Sequence, residues 1–184
     1  MLIMNNYSRK VSKWYETLNT IIMSVAFISL IFTGFFIQKA NSNMILYYFG
    51  WIIWVLAFIL AFSPNFLFKK YGEVAKGKRY VHTTKLVDNG IYSIIRHPQY
   101  GGGLYIAFSL ILIQQTIVSI ILGIICMITS YLSMVFEEER VISKFGEEYK
   151  DYMKRVPRVN LLSGFIRKIR RKKLNQSKKK DKNN

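Results

Sequence analysis

Cysteine, histidine and acid are all scarce here, and each scarcity removes a class of function. The single cysteine, Cys126, sits in the middle of an apolar run, so neither an intrachain disulfide nor a thiolate metal cluster can form. Its place is that of a small apolar residue. The two histidines, His82 and His97, are fifteen positions apart with no further histidine or cysteine at ligand spacing, so no metal site is expected. No G-x-G-x-x-G element follows a strand-like run, which argues against a doubly wound nucleotide-binding sheet. Internal repeats are absent as well. No small-x-small cleavage site follows the first apolar run, which is about twice as long as a signal-peptide core and should stay as a helix.

What is present is hydrocarbon and positive charge. Over 184 residues the chain is 51% hydrophobic and 15% aromatic, with mean hydropathy +0.17, too apolar for an ordinary soluble domain. Four stretches carry this weight: 18–37, 44–62, 104–113 and 117–136. The first two and the last approach the roughly 20 residues that span a bilayer. The third is short, but a helix opened by Pro98, a favoured first helical residue, gains about two turns. Gln114-Gln115-Thr116 is then the turn of a hairpin, and from Gly101 to Phe136 no side chain is charged. The expected fold is an all-α integral membrane protein of about four transmembrane helices, with a C-terminal helical hairpin and a cytosolic helical extension.

The 27 lysines and arginines, against 10 acidic residues, fix an orientation. Three precede the first span, only Lys39 lies in the 38–43 loop, seven fall between Phe66 and His97, none is in the 114–116 turn, and sixteen follow Phe136. By the positive-inside rule both termini and the 64–97 loop are cytoplasmic. The chain divides into a basic N-terminus (1–17), a transmembrane helix pair (18–62), a core carrying a loop and the hairpin (63–166), and a basic tail (167–184). Ten of the eighteen tail residues are Lys or Arg, and the tail is expected to be disordered. It sets topology or docks on anionic lipid; without a reading fold it gives no case for nucleic acid. Nothing calls for an obligate protein partner.

A hairpin returns the chain to the side it left, so Arg96-His97-Pro98-Gln99-Tyr100 and Glu137-Glu138-Glu139 must meet at one face of the bilayer. Taken singly these residues have plain explanations: Arg96 snorkels to headgroups, and His97 caps the helix that follows. Gly101-Gly102-Gly103 is harder, because each glycine costs a helix up to about 1 kcal/mol. The bare backbone serves either close helix packing or a ligand laid against it. Carboxylates next to hydrocarbon are expensive unless they pair or bind something. At 100° per residue, one of Glu137 and Glu138 must point into the hairpin. Asp88-Asn89-Gly90 is a turn signal, Gly146 reads as a helix break, and Val156-Pro157 reads as a stop.

The ordered set Leu86-Val87-x-x-Gly90-x-Tyr92, Arg96-His97-Pro98-x-Tyr100, a charge-free hairpin, Glu137-Glu138, Phe145-Gly146-x-x-Tyr149-x-x-Tyr152 and Arg155-Val156-Pro157 closely resembles the isoprenylcysteine carboxyl methyltransferase family. That family sits within a wider group that includes membrane phospholipid N-methyltransferases. The resemblance covers about residues 82–158. It implies S-adenosylmethionine held at the cytosolic membrane face, with contacts from Thr84, Lys85, Leu86, Val87, Tyr92, His97, Pro98, Gln99, Tyr100 and Glu137. Two positions depart from the family. Its eukaryotic members place a substrate-binding arginine where this chain has Ser133, and a glutamine where this chain has Ala75-Lys76-Gly77-Lys78.

The implied reaction is methyl displacement from sulfur to an amphiphilic or lipidated acceptor entering from the bilayer, alongside membrane lipids as surroundings. A carboxylate acceptor needs no base, whereas an amine must lose a proton, for which Glu138 is the candidate base. Arg140, or Arg158, is the candidate anchor for an anionic acceptor. Two other classes stay open. Membrane sterol and enone reductases, which use NADPH, share the Arg-His-Pro-x-Tyr element but differ after the hairpin, and a non-catalytic adaptor would leave the glycines and glutamates unexplained.

Overall fold

In the computed structural model, residues 2–37, 42–71 and 84–181 are described. Among them five α-helices follow one another: α1 (Leu2–Phe36), α2 (Met44–Tyr71), α3 (Pro98–Gln114), α4 (Ile117–Arg155) and α5 (Leu161–Asp181), with a short 3-10 helix at Gly90–Ser93. No strand occurs among the described residues. Among the described residues three helices are long and apolar enough to cross a membrane, over Lys13–Phe36, Met44–Tyr71 and Ile117–Arg155. The 17 residues of α3 give about 25 Å of helix, a little short of the roughly 30 Å hydrocarbon layer. The all-α membrane architecture read from the sequence is therefore the architecture found.

The chain forms two compact units, Met1–Ala61 with Tyr100–Glu139, and Phe62–Gln99 with Arg140–Asn184. In the first, α1, α3 and α4 share a core of Ala26, Leu30, Ala107 and Cys126, with Phe27, Leu110, Leu122, Ile125 and Met127 packed around it. Small residues at the centre let helices approach closely where water supplies no drive for association. The same logic accounts for Gly102. A methyl there would lie 2.7 Å from the Ala61 backbone nitrogen, so of the two roles open to the glycines, close packing against α2 is the one Gly102 performs.

Polar side chains lock the two ends of this unit. Asn19 on α1 donates its amide to the Thr129 carbonyl (3.0 Å) and to Ser133 Oγ (2.8 Å) on α4. At the opposite end the hairpin turn does the same work. Gln114 accepts from Thr33 Oγ1 and donates to the Leu30 carbonyl, both at 2.8 Å. Gln115 exchanges two hydrogen bonds with the Asn43 backbone, while Asn43 Oδ1 caps α2 by accepting from the Ile45 and Leu46 amides. Thr116 and Ser119 cap α4 reciprocally, each hydroxyl accepting from the other residue's amide at 3.1 Å.

One expectation needs correction. The basic tail expected to be disordered from residue 167 is helical, as α5 spans Leu161–Asp181. Asn160 Oδ1 accepts from the Ser163 amide and caps it, and lysine and arginine are good helix formers. The basic N-terminus is part of α1, which begins at Leu2. Gly146 does break α4, with φ 56° and ψ −128° inside an otherwise helical run. Lys39, His82 and the Ala75-Lys76-Gly77-Lys78 segment lie outside the described residues.

Candidate functional site

In the second unit the sequence Asp88-Asn89-Gly90 turns the chain into the 3-10 helix. Gly90 takes φ +62°, a left-handed backbone that calls for glycine whatever the space around it, and its nearest neighbour is the end of the Leu67 side chain. The turn delivers Tyr92 into the interior, where its ring lies 5.2 Å from that of Phe68. Tyr92 is 8% exposed, Val87 4% and His97 6%, and Pro98 is fully buried, so four of the implied cofactor contacts are buried side chains. Leu86 packs against the cluster of Tyr149, Tyr152 and Val156.

Arg96 does not serve as a headgroup anchor. Its Nη1 donates to the Met153 and Val156 carbonyls, both at 2.8 Å, so the guanidinium caps the C-terminal end of α4, where carbonyls lack helical partners and a cation is favoured. Two backbone bonds extend the seam. The Arg96 amide donates to the Pro157 carbonyl (3.0 Å) and the His97 amide to the Arg158 carbonyl (3.2 Å). Thus the segment leading into α3 is stitched to the segment leaving α4.

The tyrosines beyond the helix break complete the surroundings of His97. Tyr149 Oη lies 3.5 Å from His97 Nε2, the outer limit of a hydrogen bond. Tyr152 is 1% exposed and donates its phenol to the Tyr92 carbonyl at 2.6 Å. Burial, reinforced by the neighbouring Tyr149, pushes the Tyr152 phenol above its ordinary range, so it stays protonated as a donor. These residues lie beyond the charge-free part of α4. Spacing of three places both rings on one helix face, 5.7 Å apart.

The remaining site residues read from the sequence distribute as follows. In the second unit Thr84, Lys85, Gln99 and Arg140 are exposed, Arg158 is half-buried and Pro98 is buried. In the first unit Tyr100 and Glu137 are half-buried, Glu139 is exposed, and Glu138 is the inward glutamate at 4% exposure. Ser133, standing where the related carboxyl methyltransferases have arginine, is committed to Asn19. Among the described residues, no three His, Cys, Asp or Glu side chains gather as a metal site. Sequence reasoning undervalued Arg96, Tyr149 and Tyr152. Tyr149 and Tyr152 had a usable signal in their i, i+3 spacing, but Arg96 had none, because its partners are main-chain carbonyls 57 and 60 residues away.

No curated protein and no solved structure matches the chain. A family model described as phospholipid methyltransferase (PEMT) matches residues 76–148, about two fifths of the sequence. The match begins before the Leu86-Val87 segment, takes in His97 and the whole hairpin, and ends one residue before Tyr149. Segment 76–148 is thus similar to the phospholipid methyltransferases, the wider group of membrane methyltransferases to which the sequence pattern pointed.

Proposed function

We propose that this chain is an S-adenosylmethionine-dependent methyltransferase acting on an amphiphilic acceptor at the cytoplasmic membrane face. The observation that carries the reading is the buried His97, held by its own amide and by Arg96 within a segment similar to a membrane methyltransferase family. The residues present suit the cofactor. A buried imidazole with a phenol beside it, the buried Tyr92 ring and an apolar wall of Leu86 and Val87 match an adenosyl group's mixed polar and flat apolar surface. The resemblance read from the sequence adds Glu137, a carboxylate suited to its cationic groups.

When bound, S-adenosylmethionine supplies an electrophilic methyl group and departs as a neutral sulfide. The protein's task is therefore alignment, which can contribute about 7–11 kcal/mol to lowering a barrier. Holding His97 on a seam of four hydrogen bonds, with the Tyr92 carbonyl tied to Tyr152, gives the rigidity that alignment needs. For an amine acceptor, Glu138 would take the proton.

The phospholipid methyltransferase match favours an amine headgroup over a prenylcysteine carboxylate. Ser133 points the same way, since it is hydrogen-bonded to Asn19 and presents no cation to a carboxylate. Arg140 and Arg158 would be the anchors for an anionic part of the acceptor. The test is transfer of labelled methyl from S-adenosylmethionine to ethanolamine phospholipids, farnesyl-cysteine analogues and soluble peptides, using full-length protein in lipid discs. Methylation of the phospholipid supports the reading. Turnover of soluble peptides alone would contradict acceptor entry from the bilayer, and turnover of none would contradict the enzyme assignment.

A further inference from the structure

Helix α5 has two faces that do different things. On one, Gly164 lies so close to the Ile94 carbonyl that a methyl group could not be added, and Arg171 Nη2 donates to the Ser93 carbonyl at 2.8 Å. These two contacts dock α5 on the loop that leads from Tyr92 to His97. The other face is apolar and uncovered: Leu162 is 73% exposed, Phe165 54%, Ile166 49% and Ile169 43%. With 3.6 residues per turn these four side chains fall within an arc of about 100°, centred about 160° around the helix from the docked side. Four large apolar residues aimed away from the protein are a surface awaiting a partner.

The charge around that face identifies the partner. Arg170 and Lys172 border the apolar arc, Lys173 continues its line one turn beyond Ile169, Lys168 lies about 60° outside it, and no acidic residue occurs between Leu161 and Lys173. A second copy of this chain would bring the same cations into opposition, which disfavours self-association through this face. An anionic bilayer surface offers both what the apolar arc needs and what the cations need. A bilayer is at hand, because three helices of the same chain are built to cross one. An apolar face flanked by lysine and arginine is the pattern of a helix lying in the interface plane.

We propose that α5 is an interfacial helix that recognises anionic phospholipid, with Leu162, Phe165, Ile166 and Ile169 immersed at the headgroup boundary and Arg170, Lys172 and Lys173 on the phosphates. Lipid engagement would then hold the Ser93-Ile94 segment in place through Gly164 and Arg171. The proposal stands apart from methyl transfer and is read without it.

The experiment uses full-length protein in phosphatidylcholine discs with and without phosphatidylglycerol, carrying a nitroxide at Ile166→Cys or, as control, at Arg167→Cys. Accessibility to oxygen and to a water-soluble nickel chelate reports immersion. In phosphatidylglycerol discs the label at 166 should gain oxygen access and lose nickel access, while the label at 167 stays in water. The variant K168E/R170E/K172E/K173E should return the label at 166 to water while remaining monodisperse. Equal water exposure at 166 and 167 in anionic discs would overturn the proposal. So would immersion indifferent to phosphatidylglycerol, which removes charge recognition, and so would shielding at 166 that rises with protein concentration in detergent, which indicates self-association.

Discussion

Replacing Tyr152 by phenylalanine isolates one bond in the frame around His97. The ring stays and only the hydroxyl that donates to the Tyr92 carbonyl at 2.6 Å is removed. At 1% exposure the site admits little water, so losing the donor to a buried carbonyl should cost about 1–3 kcal/mol. That multiplies the opening of the Gly90–Ser93 turn by about five- to 150-fold. Hydrogen exchange reads it directly. The amides of Tyr92, Ile94 and Ile95, bonded to Asn89 and Ile91 within the turn, should exchange faster by that factor, while amides inside α3 keep their rates. Tyr149→Phe should have a much smaller effect, because its 3.5 Å contact is weak. The pH dependence follows with a definite sign. A phenol whose value is raised by folding binds its proton more tightly in the native state, so its contribution is complete below the ordinary value of 10.0 and declines as pH rises beyond it. The Phe variant should lack that alkaline loss. Unchanged exchange in the turn would refute the claim that Tyr152 holds it.

Arg96→Lys should destabilise the protein by about 1.5–3 kcal/mol, because an ammonium does not reproduce the guanidinium's contact with two carbonyls; a fall in Tm in detergent, with faster exchange at His97, checks it. Gly102→Ala should lower the yield of folded protein and Gly102→Leu should abolish it, since even a methyl meets Ala61 backbone at 2.7 Å. Size-exclusion profiles distinguish this from a ligand-only role, which would leave folding intact and remove binding alone.

The hairpin was legible because its signals are local: Pro98 opens α3, the Gln114-Gln115-Thr116 turn closes it, and Gly146 breaks α4 where a glycine between long helical runs suggests a break. Arg96 was illegible for the opposite reason, since its role depends on main-chain groups far along the chain. The tail was misjudged by beginning it at Arg167. That boundary discards the Asn160 cap and the first three apolar residues of the Leu162-Phe165-Ile166-Ile169 stripe, whose spacing marks an amphipathic helix. At the site, the rule that one of two adjacent glutamates must face inward was sound, but only the structure says that it is Glu138. The buried setting of His97 likewise needed the backbone seam to be seen.

Whether the His97 segment holds S-adenosylmethionine is the question on which the account turns. Isothermal titration of full-length protein in detergent with S-adenosylmethionine, its demethylated product and NADPH answers it most directly. The account predicts binding of the first two and not of NADPH, with affinity reduced at least about tenfold in His97→Ala, a loss of roughly 1.4 kcal/mol. Binding of NADPH in place of S-adenosylmethionine, or equal affinity in the His97 variant, would contradict it.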